Sequence, residues 1–192
     1  MLSAVLSVVV HLLTSPLMSP EAESPTCRPL LTMTDRESAA GWRSVNDNVM
    51  GGRSLGAAEF QDGQLRFSGA INTNGGGFAS IRHALPKGVL AGGNAVRITM
   101  LPDDRTYQVS FQTSERSWGR PVAYRVDIRN PAPGEWVDPS VGFSELHASV
   151  LGRRVRSAPF DPAVSRTISI FIADGVDGDF DLALKSIELC SL

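Results

Sequence analysis

Asp47 and Arg82 are the carboxylate and one of the guanidinium groups set into the stretch of this 192-residue chain richest in glycine and asparagine, within WRSVNDNVMGGRS (42–54) and SGAINTNGGGFASIR (68–82). A carboxylate and a guanidinium can meet in a bidentate pair that fixes direction as well as distance. Here such a pair would lock two shaped loops together. The first loop holds Asn46, Asp47, Asn48, Gly51 and Gly52; the second holds Asn74, Gly75, Gly76, Gly77 and Arg82. The plainer reading of the pair is an internal strut, and the functional one is a recognition surface for a protein or a sugar. Glycine takes positive φ without a steric penalty and asparagine tolerates it, so Gly52 and one of Gly75 to Gly77 are expected there. Gly88 and Gly92 read as ordinary surface loop.

Other chemistries find less support. Asp174, Asp177 and Asp179 form an acidic run that calcium could use, since hard cations take several oxygen ligands. The spacing is not that of an EF-hand, and a solvated strand edge explains the run adequately. His11, His83 and His147 are scattered without zinc-site spacing. The triple glycine lacks the lysine and following helix of a phosphate loop, and no Gly-x-Ser-x-Gly elbow occurs. Asp47 with Glu135 or Asp138 could act as an acid/base pair only at glycosidase separation. The residues therefore predict neither catalysis nor a cofactor.

The elements that must position these loops are strands. Asp62-Gly63 between Phe60 and Leu65 predicts a two-residue hairpin. Val96, Ile98 and Met100, then Tyr107, Val109 and Phe111, then Val122, Tyr124, Val126 and Ile128 alternate with polar residues, as half-buried strands do. Ile168, Ile170 and Ile172, then Phe180, Leu182 and Leu184, repeat the pattern; the phase slips to Ile187 and Leu189, which predicts a bulge near Lys185-Ser186. Thr34 to Ala40 suits one capped helical turn, with Thr34 capping. Regular short strands with almost no helix predict an all-β antiparallel sandwich, with Trp42, Phe67, Phe78, Tyr107, Phe111, Ile170 and Phe180 between its sheets.

The apolar share of 42% suffices for one core, and a formal charge of −2 gives no footing for nucleic acid. Residues 1–27 form an apolar segment and linker ahead of a domain spanning 28–192. Leu2 to Leu13 is short for a bilayer span and lacks the basic start of a typical signal peptide. Export to a periplasm follows if it is a signal peptide, and a cytoplasmic or membrane-associated location if it is not. Cys27 and Cys190 lie at the two edges of the domain; the plainer reading is two unrelated thiols, the other a bond tying the terminal strands in an oxidising compartment.

Trp42, Asn46-Asp47-Asn48-Val49-Met50-Gly51-Gly52, Ser54, Asn74-Gly75-Gly76-Gly77-Phe78-Ala79-Ser80 and Arg82 follow one another as they do in the complex I intermediate-associated protein family. Tyr107, Phe111, Trp136, Phe143, Gly152-Arg153 and Ile172-Ala173-Asp174 continue the resemblance, which runs from about Leu30 to Leu189. It implies a galactose-binding-like jelly roll and a non-catalytic module assisting assembly of a respiratory or related complex, with complex subunits or assembly intermediates as protein partners. The alternative is a carbohydrate-binding module, for which Trp118 and Trp136 would form a stacking platform. An exposed aromatic pair beside Asn and Asp groups would favour sugar, and an apolar, partly charged patch would favour protein.

Overall fold

The computed structural model describes residues 25–129, 132–157 and 159–192, so the apolar segment at 1–24 lies outside the described residues. In chain order the strands are β1 (Thr26–Thr32), β2 (Trp42–Asn46), β3 (Leu55–Gln61), β4 (Gln64–Ile71), β5 (Ala79–Ala84) and β6 (Ala95–Pro102). Then come β7 (Tyr107–Ser117), β8 (Arg120–Asp127), β9 (Ser140–Gly142), β10 (His147–Val150), β11 (Arg153–Arg154), β12 (Thr167–Ile172) and β13 (Gly178–Ser191). A one-turn helix, α1 (Arg36–Ala39), is capped by Asp35 with Ser38, one residue later than the expected Thr34 cap, because Asp35 accepts from the Ser38 amide at 2.8 Å.

Two antiparallel sheets make the sandwich. One has the order β3-β4-β13-β6-β9, with β1 also on β13; the other has the order β11-β10-β8-β7-β12-β5-β2. The alternation in the sequence decides which side of each strand faces inward. Val96, Ile98 and Met100 of β6, Val109 and Phe111 of β7, and Ile168, Ile170 and Ile172 of β12 have no exposed surface. Trp42, Phe67, Tyr107 and Phe180 join them in the core, Phe67 and Phe180 meeting edge to face at 4.8 Å. The predicted irregularity in β13 is present between Leu184 and Ser186 and turns Ile187 and Leu189 inward. Phe78 departs from expectation: it is half-buried on the outer side of the seven-stranded sheet, with its ring 5.8 Å from Phe171.

The acidic run after β12 is already engaged. Arg105 grips Asp174 in a bidentate pair at 2.7 and 2.9 Å and donates to the carbonyls of Val176, Gly178 and Asp179. The carboxylate of Asp177 accepts from the Thr73 amide at 2.6 Å, and Asp181 pairs with Arg66. Among the described residues no cluster of His, Cys, Asp and Glu is disposed to hold a metal ion.

Cys27 and Cys190 are bonded, which corrects the reading of two unrelated thiols. They face each other directly in the β1–β13 register, so the first and last strands are joined across a separation of 163 residues. A crosslink closing so long a loop restricts the unfolded chain strongly. Replacing both cysteines with serine is expected to lower stability by about 2–4 kcal/mol. The check is urea denaturation of wild type and double mutant, the wild type also in reductant, where it should fall to the mutant's midpoint.

Candidate functional site: a cationic groove on the seven-stranded sheet

The two glycine-rich loops converge on a single atom group, the carboxylate of Asp47, which has no exposed surface. Asp47 opens a 3-10 turn, 47–50, that follows β2 and ends at Gly51 with φ +88°. Its Oδ1 accepts from the Ser54 amide at 2.9 Å; its Oδ2 accepts from the Ser54 hydroxyl at 2.6 Å, the Gly77 amide at 2.6 Å and the Phe78 amide at 3.3 Å. Burial raises the carboxyl's pKa, but the hydrogen bonds from Ser54, Gly77 and Phe78 together outweigh it and hold the group below its ordinary value.

The partner expected for Asp47 is therefore wrong in one respect. The strut exists, but Ser54 and two backbone amides make it, and Arg82 stands elsewhere. The glycines are explained the same way. A Cβ on Gly52 or Gly76 would lie 2.2 Å from the Asp47 carboxyl group, so these positions admit no side chain while the carboxylate is there. Positive φ falls on Gly51, Gly75 and Gly77 and not on Gly52, and it also occurs at Gly88 and Gly92, which are turns rather than plain loop. Asn46 donates to the Gly56 carbonyl at 3.0 Å, while Asn48 and Asn74 are exposed.

Beside this hub a groove of about 510 Å³ runs over the outer face of the seven-stranded sheet. Of the residues expected at the site, Asp47, Gly75, Gly76, Gly77 and Arg82 line it; Asn46, Asn48, Gly51, Gly52 and Asn74 do not. Strand register builds its floor. Arg82, Ser169, Ser110 and Arg125 occupy one row across β5, β12, β7 and β8. The two central positions are serines, which leaves a hollow between the arginines. Phe171, one position along the same face of β12, fills the next row.

Both guanidinium groups lean over the Phe171 ring, at 5.4 Å for Arg82 and 5.1 Å for Arg125. Aromatic faces attract cations modestly, yet neither arginine forms an ion pair among the described residues. Among the described residues the buried Nε of Arg125 has no hydrogen-bond partner. Burial lowers the pKa of Arg82; burial, then the charge of Arg82, lowers that of Arg125. Arg120 is a third cation on the wall. The rim is apolar: Met50 is 61% exposed and Leu151 60% exposed.

The complex I intermediate-associated protein 30 family model matches residues 31–184. The chain belongs to that family. No curated protein matches it in sequence. Among solved structures it resembles the family 11 carbohydrate-binding module from Clostridium thermocellum in complex with a β-1,3-1,4-mixed-linked tetrasaccharide. The TM-score is 0.62 at 14% identity, over 83% of this chain and 94% of that one. The family 11 module of the cellulosomal cellulase Lic26A-Cel5E of the same organism gives a TM-score of 0.63 at 14% identity, over 88% and 95%. At such identity the likeness establishes the β-sandwich fold, and this member of the family has the galactose-binding-like architecture its motifs imply.

Trp118 and Trp136 do not form a platform. Trp118 is the tip of the β7–β8 hairpin on one sheet. Trp136 adjoins β6 of the other, with the Lys185 ammonium 3.9 Å from its ring centre. Sequence reasoning missed Arg125, Ser110, Ser169 and Phe171. One signal for them exists: Phe171 puts a large apolar ring on the face of β12 opposite Ile170 and Ile172, which marks a strand covered on both sides.

Proposed function

We propose that this chain is a non-catalytic binding module that holds a protein partner in the groove over the seven-stranded sheet, and that it assists assembly of a respiratory or related complex. Membership of the complex I intermediate-associated family supports the assembly role. The observation that carries the protein-binding reading is the groove itself, an apolar rim around cations that, among the described residues, have neither an ion-pair partner nor an aromatic platform beside them. Asp47, the carboxylate among the described residues that line the groove, has its oxygens turned to four donors, so it is not poised for acid/base work.

A second reading, a saccharide in the same groove, is supported by the fold shared with carbohydrate-binding modules. One experiment separates them. Tagged protein incubated with membranes of its host should capture complex subunits, and Met50→Asp with Leu151→Asp should abolish capture without unfolding the domain. Retardation by neutral glycans in affinity electrophoresis, with no protein captured, would support the saccharide instead.

A further inference from the structure

Among the described residues three hairpins turn on two residues, both at positive φ: Asp62-Gly63 (52° and 74°), Trp118-Gly119 (52° and 74°) and Leu151-Gly152 (48° and 79°). Turns of this kind favour Asn, Asp or Gly at the first position, and the first hairpin obeys that rule. The other two place bulky apolar residues in a backbone region such side chains avoid, and expose them, Trp118 by 79% and Leu151 by 60%. Folding alone would favour asparagine at both. Local strain of this sort collects at functional sites.

One unusual tip lines the groove and the other borders it. Leu151 and Gly152 line it directly, and the strand leaving Trp118-Gly119 contributes Arg120 and Pro121. The same groove contains Arg82 and Arg125 beside one phenylalanine, without a carboxylate partner among the described residues. Asp127, on the groove side of β8, accepts instead from the Gln108 amide at 2.7 Å. An arriving carboxylate would relieve the repulsion between the arginines and meet the unpartnered Nε of Arg125.

We infer that the groove receives an acidic side chain of a partner polypeptide between Arg82 and Arg125, while apolar residues flanking it seat against Leu151, Met50 and Trp118. This rests on the protein-binding reading above and names the chemistry of the partner segment. A glycan carboxylate would satisfy the arginines equally, but the exposed Leu and Met of the rim suit aliphatic side chains better than sugar hydroxyls.

The test uses two capped peptides, Leu-Leu-Glu-Leu-Leu and Leu-Leu-Gln-Leu-Leu, with oligogalacturonate as a third probe, titrated by amide chemical-shift changes. The Glu peptide should bind about tenfold tighter than the Gln peptide, the ratio expected from one charge-assisted clamp worth roughly 1.4 kcal/mol. Arg125→Gln and, separately, Arg82→Lys should remove or shrink that preference, with circular dichroism confirming the fold. Leu151→Asn and Trp118→Asn should weaken both peptides alike while leaving thermal stability equal or higher, a split that a purely structural role would not give. Equal affinity for the two peptides, or a preference that survives the arginine changes, overturns the inference. Tighter binding of oligogalacturonate than of the Glu peptide overturns it in favour of an acidic glycan. Subunits captured from membranes equally by wild type and arginine variants would sink this inference yet leave the protein-binding function standing; peptide selectivity without any native capture would do the reverse.

Discussion

Asp47→Ala is expected to destabilise the protein by on the order of 4 kcal/mol, enough to leave a domain of this size only marginally folded. The carboxylate is fully buried and accepts from Ser54, Gly77 and Phe78, so its removal strands their donors away from water and opens a void between Gly52 and Gly76. Each stranded donor costs roughly 1–3 kcal/mol. Gly76→Ala, which puts a methyl where the carboxylate sits, should behave similarly. The effect also has a pH signature. Because Asp47 is held below its ordinary value in the native state, its contribution is whole above the unfolded pKa, about 3.9, and is lost as pH falls through the lower native one. Asp174, lowered chiefly by its hydrogen bond from Arg105, acts in the same sense. Urea denaturation at pH 7 and near pH 3 checks this: wild type should lose stability on acidification, and Asp47→Asn should lose less over that interval from a lower start. A mutant as stable as wild type at pH 7 would show that the hub does not hold the loops.

Arg105→Ala should cost about 3–5 kcal/mol, the usual consequence of removing one member of a buried ion pair. The Arg105 and Asp174 side chains are each 9% exposed, and the guanidinium also satisfies the carbonyl of Val176 in the β12–β13 connection and those of Gly178 and Asp179 at the start of β13. Loss of the arginine leaves the Asp174 carboxylate uncompensated and that connection without its anchor. Arg105→Lys should recover little, since an ammonium cannot reproduce a planar fork on a carboxylate and three carbonyls. Denaturation midpoints of the two variants check this, and full recovery by lysine would show that charge alone matters.

The strands were legible because alternation is a local signal: the residues of β6, β7 and β12 that recur at every second position are those facing the core. The bulge after Leu184 was equally legible, as a slip in the same phase. What local pattern could not show was the pairing of distant strands. Arg82 and Arg125 are 43 residues apart and become neighbours only through the order β5-β12-β7-β8, so nothing near either one marks it as half of a clamp. Arg105 was hidden for the same reason, its carboxylate lying 69 residues downstream. The loop motifs read as a strut first and a binding surface second, and their most distinctive residues, Asp47, Gly52 and Gly76, close on one buried carboxylate. Glycines crowded around a carboxylate and glycines opened to a ligand look alike in sequence, because both need a backbone without a side chain.

Photo-crosslinking tests the protein-binding reading most directly. A benzophenone side chain at Leu151, on the groove, and another at Trp136, on the opposite sheet, would be irradiated in the living host. The groove reading predicts a discrete protein adduct containing a respiratory-complex subunit or assembly intermediate from position 151, and none from position 136. Adducts from position 136 alone, or none from either beside saturable glycan binding, would contradict it.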